Sequence, residues 1–404
     1  MSAIVGIYFL DGRAADHNTI NQMLERVKHR GPDRAGVWCE GSVGLGHRML
    51  LTTSESLHEK APLVNKSGDI VLTADARIDN RDELINALGL GQSPSREMSD
   101  SELIVAAYER WGERCPERLL GDFAFAICDK RRRSLFCARD HFGVKQFYYY
   151  YSGRAFVFAS EIKAIFSLPE VPQQVNEPRI ADYLVHVLEG FDKSITFYKE
   201  IFRLPPSHSI TCDGKGVSTR LYWSLDPNYE VRYSSDEEYA EKFLDLFTHS
   251  VRCRLRSAFP GGSMLSGGLD SSSIVCVARK LLEQNGGGRL YTFSAISEDA
   301  STCGETPYIY SVLRNGGLHS HTVRSNQLSH FVADLERFAW MEDDPFGAAT
   351  MLIPRIMYAC ARESGIRILL DGIMAILSLH IIPITWPTSY AQGSGIPRSL
   401  RRVS

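Results

Sequence analysis

The sequence predicts an α/β (α+β) protein of two domains: a layered, mostly antiparallel sheet domain over 1–225 and a parallel-sheet domain over 232–373. Three observations lead there. A length of 404 residues gives a prior of two to three domains, with enough chain for more than one core. Short β-like runs separated by polar or glycine-containing turns fill the first half, with a few helical stretches among them. Past Asp226-Pro227-Asn228 the rhythm changes to alternating strand and helix, which favours a doubly wound sheet.

Each element follows in order. The apolar start, Met1 to Leu10, has no basic leader and stops at Asp11-Gly12, so it reads as a buried first strand and not a signal peptide. Helical spacing marks 18–29, 81–88 and 101–111, and Ser99-Asp100-Ser101-Glu102 is a capping-box start for the last of these. Runs 70–73, 123–128, 134–138, 146–151 and 155–158 read as strands, and closing hairpins end near 220–225. Lys130-Arg131-Arg132-Arg133 is a solvated turn between two of them, since no aromatic residues interleave it as a nucleic-acid surface would require. The polar stretch 226–235 marks the domain boundary. Beyond it 236–257 reads as a long amphipathic helix, 263–265 as a strand, 271–282 as a helix and 290–295 as a strand. Residues 307–314 and 353–364 look helical, and 366–370 is an apolar, β-branched strand.

Composition narrows the class. Lys and Arg total 45 against 48 Asp and Glu, a net charge of −3, with 44% apolar and 23% charged residues. These values argue against disorder, collagen and coiled coil, and give no reason to expect nucleic acid as a partner. Nine cysteines without a CxxC pair read as reduced thiols in a cytoplasmic protein, not as a disulfide framework or zinc site. The apolar stretch 373–386 is broken by Ser378, His380, Pro383 and Thr385, so no membrane span is expected. His319 and His321 share a strand face but lack a nearby third ligand, which disfavours a metal site. Oligomeric state is not legible.

The most informative stretch is Leu265-Ser266-Gly267-Gly268-Leu269-Asp270-Ser271-Ser272-Ser273. It follows a strand and opens a helix. Two glycines permit a tight turn and close backbone approach to a ligand, while hydroxyls and N–H groups are expected to face outward at the positive end of the helix dipole. That is a cradle for pyrophosphate, and Asp270 is placed to hold the Mg²⁺ that accompanies a nucleotide. No Gly-Lys-Ser/Thr follows, so it is not a Walker P-loop.

Ser266–Ser272 resembles the pyrophosphate loop of the ATP-pyrophosphatase enzymes. Together with His29-Arg30-Gly31-Pro32-Asp33, Gly46-His47-Arg48, Gly121-Asp122-Phe123-Ala124-Phe125, Gly143-Val144-Lys145, Ser160-Glu161-Ile162-Lys163 and Leu204-Pro205-Pro206, it makes the chain similar to the asparagine synthetase (glutamine-hydrolysing) family over about nine tenths of its length. The resemblance implies an N-terminal-nucleophile amidotransferase αββα sandwich followed by an ATP-pyrophosphatase domain, adenine nucleotide alpha hydrolase-like. It implies ATP and Mg²⁺, adenylation of a carboxylate (aspartate or a precursor peptide), and amide formation with release of AMP and pyrophosphate. Leu265, Ser266, Gly267, Gly268, Asp270, Ser271, Ser272, Ala295, Asp371 and Gly372 would then surround the nucleotide. Asp270 and Glu305 would serve catalysis, and Asp343-Asp344-Pro345 would mark a loop near the substrate.

The chain also departs from the family. The nucleophilic Cys of its glutaminase half is replaced by Ser2, whose hydroxyl is a far weaker nucleophile than a thiolate. The Asn-Gly-Glu glutamine segment becomes Asp75-Ala76-Arg77, and a carboxylate there opposes the negative charge that a neutral amide would stabilise. Arg48 and Asp100 match glutamine-contacting positions. In these details the chain looks like the cyclases of lasso-peptide clusters, which join a peptide's own amine to its activated carboxylate; a pseudoenzyme is the alternative of another class. After Ile373 the family's acidic glycine-rich loop is missing. On reverse translation, one added guanine nucleotide before the Met374 codon permits the reading Asp-Gly-Asp-Thr-Val, so the second domain is expected to be incomplete and 374–404 to be a frameshifted tail, against the alternative of a divergent short one.

Overall fold

The computed structural model describes residues 1–91, 98–185, 192–286, 288–296, 304–324, 340–345 and 348–372. They fall into two compact units, one within 1–261 and 326–368, the other within 262–325 and 369–404. Ile373, Cys303 and the expected tail at 374–404 lie outside the described residues.

The first unit carries two six-stranded sheets, and every strand pairing in them is antiparallel. One contains β1 (Ala3–Phe9), β2 (Arg34–Glu40), β3 (Val43–Met49), β8 (Tyr148–Tyr151), β9 (Ala155–Ala159) and β10 (Ile201–Arg203), in the order β10-β8-β9-β1-β3-β2. The other contains β4 (Leu63–Val64), β5 (Ile70–Ile78), β6 (Gly121–Asp129), β7 (Ser134–Arg139), β11 (His208–Asp213) and β12 (Gly216–Leu221), in the order β12-β11-β7-β6-β5-β4. Helices α1 (His17–Arg26) and α4 (Ile162–Ile165) cover the first sheet, while α2 (Arg81–Leu88) and α3 (Asp100–Trp111) cover the second. A short α5 (Glu177–Leu184) completes this part.

Three cores explain the four layers. Ala3, Val5 and Ile7 of β1 meet α1 and α4, whereas Ile4 points to the opposite face, into an inter-sheet core with Phe147, Phe156 and Phe158. The period of two thus buries both faces of β1, which is why its sequence is continuously apolar. Gly46 is required where α1 crosses β3, since a Cβ there would lie 2.7 Å from Ile20 and from Val5. Helix α3 starts at the expected capping box, with the Ser99 hydroxyl accepting from Glu102 N–H and the Glu102 carboxylate accepting from Ser99 N–H. Helix α1 stops at Arg26, short of the expected 29, because apolar spacing continues to buried Val27 after the helical hydrogen bonds end. Strands β2 and β3 were not legible as such; glycines and polar residues dilute their alternation.

Helix α6 (Asp236–Arg254) belongs with the first unit and is less amphipathic than its spacing predicts: only Val251 is buried, and Tyr239, Phe243 and Leu246 are exposed. The second unit contains the predicted parallel sheet. Strands β13 (Gly261–Met264), β14 (Leu290–Ile296), β15 (Leu318–Arg324) and β16 (Ile368–Leu370) lie in the order β15-β14-β13-β16, with β13–β14 and β14–β15 parallel. Helices α7 (Leu269–Gln284) and α8 (Thr306–Leu313) follow β13 and β14. The last helix, α9 (Ala348–Glu363), precedes β16. His319 and His321 stack on Tyr291 and Phe293 of β14, ring centroids 4.8 and 5.0 Å apart respectively. No disulfide joins the described cysteines, and no described helix is long and apolar enough to cross a membrane.

Candidate functional site

In the second unit the loop 265–268 leaves the carboxyl end of β13 and enters α7, the sheet edge where parallel α/β folds bind ligands. Buried Leu265 is fixed by its N–H, which donates to the Phe293 carbonyl at 2.9 Å, so Leu265 and Ala295 flank neighbouring strand ends. Gly267 adopts φ +91° and leaves no room for a Cβ, which would stand 2.6 Å from the Glu305 carbonyl oxygen. Gly372 is pressed onto the first turn of α7, where a Cβ would lie 3.0 Å from the Ser271 nitrogen and 3.2 Å from the Asp270 carbonyl carbon. The structure therefore gathers Ser266–Ser272, the Glu305 backbone and Asp371-Gly372, residues scattered over a hundred positions of sequence, at one helix start.

One expectation needs correcting. The Ser271 hydroxyl does not face outward: it accepts from Ser266 N–H at 3.2 Å and lies 2.9 Å from the Ser266 hydroxyl. Ser271 is buried, and its hydroxyl braces the loop from inside. Helix α7 has Gly268 at its N-cap and no side-chain cap, which leaves the dipole's positive end facing a cradle lined by backbone. Gly267→Ala is expected to destabilise the second unit by about 1–3 kcal/mol through its positive φ and the collision with Glu305. Thermal denaturation checks this; an unchanged midpoint refutes it.

The first unit gathers a second constellation. Asp75 on β5 is buried, its carboxylate 2.9 Å from Lys145 Nζ and 3.6 Å from an Arg30 nitrogen. Burial would raise the Asp75 pKa, but Lys145, Arg30 and the chain's amino terminus outweigh it and hold the carboxyl below its usual range. Arg30 also donates to the Ser2 carbonyl at 3.0 Å, and the Ser2 hydroxyl accepts from Leu50 N–H at 3.1 Å. Desolvation pulls the α-amine of Met1 down to about 6, against the attraction of Asp75. Nearby Glu161 is met by His29 at 3.1 Å, Arg30 at 3.2 Å and Lys163 at 2.6 Å. Burial alone would raise its pKa, yet the His29 hydrogen bond and the two cations bring it down to about 2. A folded-state pKa below the ordinary 4.5 contributes stability above that value, lost as pH falls toward 2. Acid unfolding of the wild-type protein should therefore steepen below about pH 4.5, and Glu161→Gln should flatten that slope. Superimposable acid curves for the two proteins would refute this.

The other positions assigned to glutamine are drawn elsewhere. Arg48 donates to the Leu24 carbonyl of α1 at 3.2 Å and pairs with Glu25, so it does not join the cluster around Asp75. Ala76 follows Asp75 on β5, Arg77 donates to the Cys253 carbonyl, and Asp100 is paired with Arg81 and Arg256. Asp343 and Asp344, expected near substrate, pair with Lys163 and Arg203. Sequence reasoning missed Arg30, Lys145 and Glu161 as site residues, although each stands in a segment that carried the family resemblance.

An amidotransferase-type sandwich joined to a parallel α/β unit is the class that the fold defines. Comparison with known proteins agrees: the glutamine amidotransferase domain family matches residues 1–223, and the asparagine synthase family matches 242–375. The chain belongs to the asparagine synthetase (glutamine-hydrolysing) family. It is 32% identical over 354 residues to a putative asparagine synthetase 2 of Methanocaldococcus jannaschii, covering 83% of this chain and 67% of the relative. It is 31% identical over 289 residues to asparagine synthetase 3 of Bacillus subtilis, covering 70% and 46%. Amidase chry2 of Gibberella zeae is 28% identical over 267 residues, covering 65% and 39%. The chain thus spans about two thirds of the first of these relatives and less than half of the other two. Among solved structures, the allosteric regulatory enzyme of purine biosynthesis is similar with a TM-score of 0.42 and 15% identity over 80% of both chains.

Proposed function

We propose that the chain is an ATP-dependent amide ligase. A substrate carboxylate attacks the α-phosphorus of ATP, forming an acyl-adenylate and releasing pyrophosphate; an amine then attacks the acyl carbon, and AMP leaves. The observation that carries this is the Ser266–Ser272 cradle with Glu305 and Gly372 packed against it.

In this reading the loop N–H groups and the α7 dipole take up charge on the departing pyrophosphate, a contribution of several kcal/mol when such donors are preorganised. Leu265 and Ala295 border the adenosine, Asp371-Gly372 lies beside the nucleotide, and Glu305 is a further acid of the site. Among the described residues no group of three or more His, Cys, Asp or Glu side chains could hold a metal ion by itself. One carboxylate beside bound phosphates is the donor set Mg²⁺ commonly uses, so Asp270 would hold it. The ion would supply Lewis-acid neutralisation of the phosphate oxygens. A cytoplasmic location belongs to the same reading and is supported by nine cysteines without a CxxC pair or regular spacing.

ATP–pyrophosphate exchange with candidate carboxylates tests the ligase. Exchange that depends on aspartate supports asparagine formation, exchange that depends on a peptide supports cyclisation, and a folded protein without exchange overturns both. Cyclisation is favoured by one observation in the first unit. With Ser2 in place of a thiol and Asp75 held between Lys145 and Arg30, that unit is poorly suited to release ammonia from glutamine. A lasso-peptide macrolactam cyclase needs no ammonia, because the peptide brings its own amine.

A further inference from the structure

Residues 253–258, the end of α6 and the four residues after it, lie across the part of the first unit to which the family resemblance assigns amino-acid recognition. Arg77 donates to the Cys253 carbonyl, and Arg254 pairs with Asp122, 2.8 Å away, and with Asp79 at 3.4 Å. Ala258 N–H and the Ser257 hydroxyl both donate to the Thr52 carbonyl, at 2.9 and 3.3 Å. At the centre is Arg256. Its guanidinium donates to Glu55 at 2.9 Å, to the two Asp100 oxygens at 3.3 and 2.8 Å, and to the Ile78 carbonyl at 3.2 Å.

Glu55 and Asp100 are 7% and 8% exposed, so two carboxylates this close need a cation between them. Arg81 supplies part of that charge, pairing with Asp100 and lying 3.5 Å from Glu55. Arg256 supplies the rest, with a fork geometry that a carboxylate accepts on both oxygens. By the family resemblance Asp100 matches a glutamine-contacting position, and a cationic group of a ligand there would compete with Arg256 for the same oxygens. We propose that Arg256 is a built-in occupant of the Glu55–Asp100 acid pair, closing the amino-acid end of the first unit's site with the chain's own guanidinium. The proposal rests on the reading that this unit does not hydrolyse glutamine, and it gives that reading a cause beyond Ser2: the recognition carboxylate is already filled.

The test is chemical rescue. Arg256→Ala should lower the melting temperature by roughly 6–15 °C, as breaking a buried pair does. Millimolar methylguanidinium chloride should restore at least half of that loss, where equal sodium chloride does not. The double variant Arg256→Ala/Asp100→Asn should show no such rescue. Failure of methylguanidinium to outperform sodium chloride overturns the proposal. If Arg256→Ala does not fold, Arg256→Ser, which also empties the guanidinium's place, takes its place with the same readout. The wild-type protein provides an independent arm. Calorimetry with L-glutamine should show no binding, and binding that Asp100→Asn weakens tenfold would overturn the proposal. Exchange activity measured in parallel separates the two readings, since its absence bears on the ligase and leaves the rescue result standing.

Discussion

Asp270→Asn is expected to slow ATP–pyrophosphate exchange by roughly 100- to 1,000-fold while leaving the fold intact. Asp270 stands in the first turn of α7, where Gly372 is packed against its backbone. The substitution keeps the shape of the side chain and removes its charge. What it takes away is the carboxylate assigned to the nucleotide's Mg²⁺, so the loss should appear in exchange with every carboxylate that supports it. Circular dichroism and the melting temperature of the variant guard against a folding artefact. Exchange within threefold of wild type in a well-folded Asp270→Asn protein would remove Asp270 from the chemistry.

Lys145→Met should destabilise the first unit by about 3–5 kcal/mol, the cost of leaving a buried carboxylate without its nearest cation. The Lys145 and Asp75 side chains are 12% and 6% exposed, which separates this pair from surface ion pairs worth less than about 1 kcal/mol. Arg30 remains near Asp75, but at 3.6 Å, and the two atoms involved have no hydrogen-bond partners. Adding Asp75→Asn to Lys145→Met should recover much of the loss, because an amide in that place carries no charge to strand. Urea denaturation of the two single variants and the double gives the coupling energy. Strict additivity of the three changes would mean that Asp75 and Lys145 do not act together.

Much of the fold is legible because the chain marks its elements by strong local signals. The Ser99–Glu102 capping box, the apolar first strand and the Ser-Gly-Gly turn each need only a few adjacent residues to be recognised, and each is where expected. Strand β3 escapes because its glycines answer to α1 and not to strand propensity, as Gly46 beneath Ile20 illustrates, and in β2 Gly36 answers to the Ala61 carbonyl, 1.9 Å from where a Cβ would stand. The loop that enters α7 is legible for the same local reason. What packs against it is not, since the Glu305 backbone and Gly372 arrive from distant segments. The charged cluster of the first unit is the least legible part. Nothing about Lys145 alone predicts Asp75 as its partner, 70 residues earlier. The orientation of Ser271 is likewise a loop-closure effect, invisible in the residue type.

The turn that delivers Lys145 is ordered in an unusual way. Asp140 accepts hydrogen bonds from the backbone N–H groups of Phe142, Val144 and Lys145, at 3.1, 2.9 and 2.9 Å. Phe142 itself is 72% exposed and meets Trp223 edge-on, ring centroids 5.7 Å apart, so burial of its ring contributes little to holding the segment. One carboxylate thus works as the hub of a small wheel, keeping an outlying bend stiff from within. Solvent deuterium should enter these amides slowly despite their place at the periphery, since the spokes of the wheel, not the exposed aromatic tip, hold the lysine's backbone.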